Sequence, residues 1–249
     1  MQQSKSLVML SDPAAFTAQS ALYLKVRAQE YWIYPDALLP LLPRVPAQHP
    51  HAHLWTWRRR GLARLLSFLK SQFRDQSFNV LDVGCGNGWM SHYLSKNLPQ
   101  AHILGVDVNL TELEQAVRVF QRPNLQYAFA DLEADVLPEQ QFDLVLFAGT
   151  FQYFQAPEKV LHAAQRVLKP GGLVHIIDTN FYKNERTQAK AQAGTRSYYT
   201  QLNVPEMAAF YHHFLKKDIP GVDRLDTLKG RFLQKIGYLS PFPWMEIRF

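Results

Sequence analysis

The chain has 249 residues, 47% of them hydrophobic and 19% charged, enough to bury a sizeable core in one large α/β domain with additions; this argues against disorder. The formal net charge of +6 leaves room for an anionic substrate, a nucleic acid or an acidic membrane surface and selects none of them. The single cysteine, Cys85, excludes an internal disulfide framework and any multi-cysteine metal site, so no metal is expected.

The opening stretch MQQSKSLVMLSDPAAF has too short an apolar run for a secretory signal, and no run of about eighteen apolar residues follows, so no membrane span and a cytoplasmic location are expected. Helix-like stretches at about 13–33 and 54–74 are joined by a Pro- and His-rich connector, PLLPRVPAQHPHAH. In the second, Arg58, Arg59, Arg60, Arg64, Lys70 and Arg74 interleave with Leu62, Leu65, Leu66, Leu69 and Phe73. That spacing reads as an amphipathic helix with a solvated basic face; the sharper alternative is a landing surface for a phosphate-bearing partner. His51 and His53 read as members of a surface loop. Residues 1–75 are expected to form an N-terminal helical cap or lid, and residues 76–249 the main domain.

From residue 78 onward, strand-length apolar runs alternate with helical stretches. The runs are FNVLDV (78–83), HILGVDV (102–108), the weaker LQYAFAD (125–131), FDLVLFAG (142–149) and LVHIIDT (173–179). Continuous apolar runs suit parallel strands covered on both faces. Helix punctuation falls between them: a glycine start and a stop near Pro99, a cap at Asn109 or Thr111 and a stop at Pro123, then Pro157 near N1 and KPGG at the end. The alternation predicts a doubly wound, mostly parallel sheet with helices on both faces. Beyond Thr179, YKNERTQAKAQAGTRSYY is polar, VPEMAAFYHHFLKK looks helical and FPWMEIRF alternates like a strand.

The first strand runs straight into Gly84, Gly86 and Gly88. Glycines there let backbone N–H groups approach a ligand at a helix N-terminus. A dinucleotide fingerprint would want glycine or alanine at position 89, which is Trp89, and no Lys-Ser or Lys-Thr follows to make a phosphate loop. Asp107, closing the second strand, can accept hydrogen bonds from both hydroxyls of a ribose. That reading fits an adenine dinucleotide and adenosylmethionine alike.

VLDVGCGNG, GVDVN, ADLEADVLPEQQFDLVLFAG and RVLKPGGLVHIIDT together resemble the motif series of class I S-adenosylmethionine-dependent methyltransferases, in order and spacing, over about residues 78–180. LHAAQRVLKPGGLVHI is similar to the branch that acts on small molecules, including the ubiquinone-pathway enzymes. The resemblance implies a Rossmann-like, seven-stranded sheet whose last strand, WMEIRF, is antiparallel. It also implies S-adenosyl-L-methionine as cofactor and S-adenosyl-L-homocysteine as product. Residue by residue, it implies that Gly84, Gly86 and Gly88 shape the turn under the methionine moiety and that Asp82 lies near its ammonium. Asp107 would hold the ribose diol with Val108 against the adenine, Asp131 would accept from the adenine amino group with Leu132 adjoining, and Phe147 and Ala148 would border the reacting methyl.

The family's small-molecule branch often carries a histidine after the fourth strand, where this chain has GTFQYFQ. Gln152 and Tyr153 stand there, and His212, in the region that the family uses for substrate contact (180–240), joins them as the candidate groups for catalysis. His213 is weighed beside it, whereas His175, alternating within an apolar strand, reads as a hydrogen-bonded core histidine. Tyr31, Trp32, Trp55, Trp57, Tyr198, Tyr199, Phe210 and Tyr211 suggest an aromatic-lined pocket under the lid, suited to a hydrophobic or aromatic small molecule. The expected reaction is methyl transfer to a small acceptor, to oxygen rather than nitrogen. The alternatives are an RNA or other nucleic-acid methyltransferase and a non-catalytic adenosylmethionine-binding protein. FAGTFQY does not match the Pro-Pro-aromatic motif of base-amino methyltransferases, and no nucleic-acid module is attached.

Overall fold

Residues 7–249 are described by the computed structural model, and the first six residues of the stretch read as no secretory signal lie outside them. In chain order the first half holds β1 (Val8–Met9), α1 (Thr17–Gln29), α2 (Ala52–Phe73), β2 (Phe78–Val83), α3 (Trp89–Asn97), β3 (Ala101–Asp107), α4 (Leu110–Val119) and β4 (Leu125–Phe129). There follow β5 (Phe142–Ala148), α5 (Pro157–Val167), β6 (Leu168–Ile177), β7 (Phe181–Tyr182) and α6 (Glu185–Gln201). The chain closes with β8 (Phe214–Leu215), β9 (Val222–Asp223), α7 (Leu228–Lys235) and β10 (Met245–Arg248). Among the described residues no helix is long and apolar enough to cross a membrane.

Every apolar run read as a strand is one. β2 through β6 pair in parallel and β10 lies antiparallel to β6, with Met245 opposite Ile176. The order β1-β4-β3-β2-β5-β6-β10-β9 has eight strands rather than the expected seven. The departure lies at the edges: β1 pairs parallel with β4, and β9 antiparallel with β10. Two-residue strands carry no alternation to read, yet they leave each edge of the sheet short, which discourages further pairing. The order reverses between β2 and β5, so a crevice opens there at the carboxyl ends of the strands.

The expected boundary at residue 75 is not a packing boundary. Leu62, Leu65 and Leu69 of α2 share one buried cluster with Phe78 and Val80 of β2, Leu144 of β5 and Leu173 of β6. Trp32, Tyr34, Leu39 and Leu42 belong to the same cluster. α2 is therefore a layer of the main core, while α1 lies over the crevice. Nor is Arg58 on the solvated face: it falls in register with Trp55, Leu62, Leu65 and Leu69, three or four residues apart, on the inward stripe.

The polar stretch after β7 is α6, started by Asn184, whose side chain accepts from Thr187 N at 3.0 Å. Only Tyr199 of that helix is buried, so no apolar stripe announces it. VPEMAAFYHHFLKK, expected to be helical, holds a 3-10 segment over Pro205–Phe210, runs extended through Leu215 and enters a second 3-10 turn at Lys216. Parallel pairing of Phe181 with Phe214 draws the two histidines out of the helix. His175 is fully buried, as expected, its Nδ1 accepting from Trp244 Nε1 at 3.3 Å and its Nε2 3.4 Å from Glu246. Burial holds its pKa below the ordinary value, while the His175 hydrogen bond brings that of Glu246 down to about 2.

Candidate functional site

The glycine turn is built around the end of β3. Gly84 N and Cys85 N both donate to Val106 O, at 2.8 and 3.0 Å, and Gly86 N donates to Asp107 Oδ2 at 2.7 Å. Asp107 Oδ1 accepts from Asn109 N at 2.8 Å, so one carboxylate fixes both the turn and the start of α4. Gly84, Gly86 and Gly88 all have φ between 53° and 75°, a left-handed conformation that side chains disfavour. A Cβ on Gly86 would stand 3.0 Å from Glu112 Oε2, so the bare backbone keeps a passage open there.

Two cavities meet at this turn. One, of about 430 Å³, is lined by Asp107, Val108, Asp131 and Leu132, with Phe16, Ser20 and Tyr23 of the N-terminal segment above. The other, of about 650 Å³, is lined by Asp82, Trp89, Ala148, Asp178, Tyr182 and His213, by Tyr23 and Arg27 of α1 and by Glu30, which caps it. Gly84, Gly86, Glu112, Gly149 and Tyr153 border both. Asp82, Asp107, Asp131, Ala148 and Asp178, at or next to the carboxyl ends of β2 to β6, thus reach one crevice, because parallel strands deliver their carboxyl ends to one edge.

Asp82 is 1% exposed and accepts from Ser91 Oγ at 2.5 Å. Burial, opposed by the Ser91 hydrogen bond and helped by the Asp107 charge, raises its pKa to about 6. Burial and the same Asp107 charge raise Glu112 to about 7. Asp107 is itself raised by burial, against the pull of the Gly86 and Asn109 N–H groups. Three carboxyls held this way, with no cation among the described residues bonded to Asp82 or Asp107, suit a ligand that brings a cation and donor hydroxyls.

Asp131 accepts from Glu133 N at 3.0 Å, and its own N–H donates to Ser11 Oγ at 2.9 Å. Gly88 caps α3 and packs on Tyr127, without lining either cavity. The Phe147 side chain is fully buried against Phe151 and Phe154 and lines neither cavity, since it points to the face of the sheet opposite Ala148. Gln152 donates to Gly149 O at 2.6 Å and accepts from Thr179 Oγ1 at 2.9 Å, tying the ends of β5 and β6 together. Tyr153 packs edge-on against Tyr23 and Tyr211, 5.7 and 5.6 Å away. His212 borders the smaller cavity. Of the aromatic set, Trp32, Trp55, Trp57, Tyr198, Tyr199 and Tyr211 line the larger cavity and Phe210 the smaller, whereas Tyr31 is 72% exposed.

His213, one residue on from the expected candidate, has the more pointed environment. Its Nδ1 lies 2.9 Å from Tyr182 Oη and its Nε2 2.9 Å from Thr195 Oγ1, and all three residues line the larger cavity. Nothing in the sequence pairs Tyr182 with His213, thirty-one residues away; the short β7–β8 ladder does. Glu112 leaves no signal of its own, being one acid in an ordinary helical first turn. Arg58 did leave a signal, a charge on a stripe otherwise apolar.

Residues 80–172 match a family model described as a methyltransferase domain. A malonyl-[acyl-carrier protein] O-methyltransferase of Halalkalibacterium halodurans is 32% identical over 117 residues, 45% of this chain and 43% of that protein. A ubiquinone biosynthesis O-methyltransferase of Coxiella burnetii is 28% identical over 120 residues, 47% of this chain and 50% of that protein. The chain thus spans about half the length of the curated relatives it matches. Among solved structures, geranyl diphosphate C-methyltransferase from Streptomyces coelicolor A3(2), in complex with S-adenosyl-L-homocysteine, aligns with a TM-score of 0.52 at 11% identity. That alignment covers 82% of this chain and 86% of the other, and it shows the shared fold.

Proposed function

We propose, from the premise that residues 80–172 carry a class I S-adenosylmethionine-dependent methyltransferase domain, that the chain methylates an oxygen of a small, partly aromatic acceptor. The observation that carries this reading is the pair of cavities joined at Gly84 and Gly86 beneath α1. The smaller has the acids and apolar walls for an adenosine, and the larger has room beside Asp82 for an amino-acid end and an acceptor together. When bound, adenosylmethionine supplies a methyl group on a sulfonium, open to in-line displacement. The chain's own part is to align the acceptor and exclude water, which the lid formed by α1 and the aromatic walls favour.

For an acceptor hydroxyl, the proton leaves through Tyr182 and His213. With Nε2–H donating to Thr195, His213 Nδ1 is free to accept from Tyr182 Oη. The Tyr182 oxygen takes the acceptor's proton as its own passes to His213, which burial keeps neutral at rest. The cavity, about 650 Å³, fits a small molecule better than a duplex.

Thermal unfolding with adenosylmethionine, adenosylhomocysteine and NADH, each alone, tests the reading. A ligand at about a hundred times its Kd stabilises by about 2.7 kcal/mol. A rise with both sulfur ligands and none with NADH is expected, and a rise with NADH alone would sink the proposal. Asp107→Ala is expected to weaken adenosylhomocysteine by about 1.5–3 kcal/mol, as for hydrogen bonds to a charged group. Calorimetry showing unchanged affinity would remove Asp107 from the ribose.

Asp82 makes the affinity depend on pH. Its folded pKa, raised to about 6, means that ionising it costs the ligand-free protein stability as pH climbs from the ordinary carboxylate range to that value. The ligand's ammonium needs the ionised form, so affinity should tighten about tenfold between roughly pH 5 and pH 7. Asp82→Asn should flatten that dependence; a variant as pH-sensitive as the parent would assign the titration elsewhere.

A further inference from the structure

We propose that Arg58, with Arg27 beside it, is the subsite for a carboxylate carried by the methyl acceptor. The proposal rests on the methyltransferase reading and names the acceptor's chemical class. Arg58 occupies a position on the inward stripe of α2 where a leucine would pack. A charge there demands compensation, and the surroundings supply only part of it. Its Nε lies 3.5 Å from Asp178 Oδ2, and its guanidinium sits 4.8 and 5.0 Å from the ring centres of Trp32 and Trp55. Among the described residues no hydrogen bond engages its two Nη groups, and Arg58 lines the larger cavity.

Arg27 reaches the same place from α1. Its guanidinium is 4.8 Å from the Trp32 ring, its Nη1 is 3.7 Å from Glu30, and its buried Nε has no hydrogen-bond partner. Two planar cations share one aromatic wall with donors to spare, an arrangement that suits bidentate capture of an anion. Asp178 holds Arg58 from a left-handed backbone, φ 55°, a conformation that a non-glycine residue adopts at a cost and that clusters at functional sites.

Charge and position narrow the choice of anion. Glu30 and Asp178 offset the two arginines, so a monoanionic carboxylate fits where a dianionic phosphate would meet two acids at close range. β6, which leads into Asp178, stands two strands from β2 across β5, roughly 10 Å at the usual strand spacing. Asp82 and the glycine turn, where the cofactor's own amino-acid end is expected, lie at β2. The neighbouring Trp55, Trp57 and Tyr198 would flank the acceptor's apolar body.

The test is calorimetric binding to the full chain saturated with adenosylhomocysteine, using 2-naphthoate, 2-naphthamide and 2-naphthyl phosphate as probes. Naphthoate should bind at least about tenfold tighter than naphthamide, as a charge-assisted hydrogen bond requires, and tighter than the phosphate. Arg58→Gln should erase the preference and leave adenosylhomocysteine affinity unchanged. Arg58→Lys, which keeps the charge and serves if the glutamine variant fails to fold, should retain a reduced preference. Equal binding of naphthoate and naphthamide overturns the proposal, and a preference for the phosphate overturns the carboxylate. If Arg58→Gln weakens adenosylhomocysteine as much as naphthoate, the arginine serves the cofactor instead. A parent chain that fails to bind adenosylhomocysteine overturns the methyltransferase reading as well, so the two failures are distinguishable.

Discussion

His213→Gln is expected to lower kcat by about 10²–10⁴, the usual contribution of a positioned proton acceptor, while leaving adenosylhomocysteine affinity unchanged. Glutamine keeps much of the volume between Tyr182 and Thr195 but cannot take up a proton near neutral pH. Tyr182→Phe should act in the same direction, and the two losses should not add, since each breaks the same relay. The pH profile separates this role from a packing role. Burial, followed by the charges of His212 and Arg196, lowers the pKa of His213 from its ordinary 6.5. Turnover of the parent should therefore fall only below that pH, as the imidazole becomes protonated and can no longer accept. In the glutamine variant the acidic limb should vanish. A variant with the parent's kcat on an acceptor hydroxyl would remove His213 from the chemistry.

Gly88→Ala is expected to destabilise the fold by about 2–5 kcal/mol, combining about 1–2 for a left-handed residue with about 1–3 for overpacking. Gly88 caps α3 at φ 75°, and a Cβ there would meet Tyr127 Oη at 2.4 Å and Ala116 Cβ at 2.7 Å. Ala116 belongs to α4 and cannot swing aside as a long side chain could, so strain has to spread into the two helices that frame the crevice. For a chain of this length the Tm should fall by roughly 5–15 °C. Gly171→Ala isolates the backbone part, because Gly171 has φ 78° with nothing within 4 Å of the added atom. It should lose only the left-handed component. Equal shifts in the two variants would mean that the contact with Tyr127 and Ala116 contributes nothing.

The two substitutions probe parts of the site that were unequally legible in the sequence. Gly88 belongs to a contiguous signal: an apolar run, an acid and three glycines in ten residues dictate a buried strand, a tight turn and a helix start. Asp107 and Asp131 follow the same logic, since each closes a strand and parallel crossovers deliver every strand end to one edge of the sheet. His213 had no such signal. Its partners come from β7 and α6, and its neighbour His212 carries the same residue type into the smaller cavity instead. A local pattern does not say which of two adjacent histidines faces which cavity when the segment is extended, because successive side chains then point to opposite sides.

Arg58 shows the intermediate case. Counted by charge alone it joins Arg59 and Arg60 on a basic face; counted by helical period it lies with Trp55 and Leu62 on the buried one. Phe147 fails in the other direction. Its position at the end of β5 is legible, but strand alternation sends its ring into the core while Ala148 faces the larger cavity.

By itself, the sequence determined the parallel sheet, its crevice and the acids that line it, because these rest on short-range periodicity and on the handedness of βαβ connections. It determined the antiparallel β10 only through resemblance. Tertiary structure alone decided that α2 belongs to the core, that two-residue strands close the sheet, and that Tyr182 meets His213 while Arg58 meets Asp178. Each of these depends on contacts between residues far apart in the chain, whose free energy comes from burial and pairing in the assembled fold and leaves no repeat in the local order of residues.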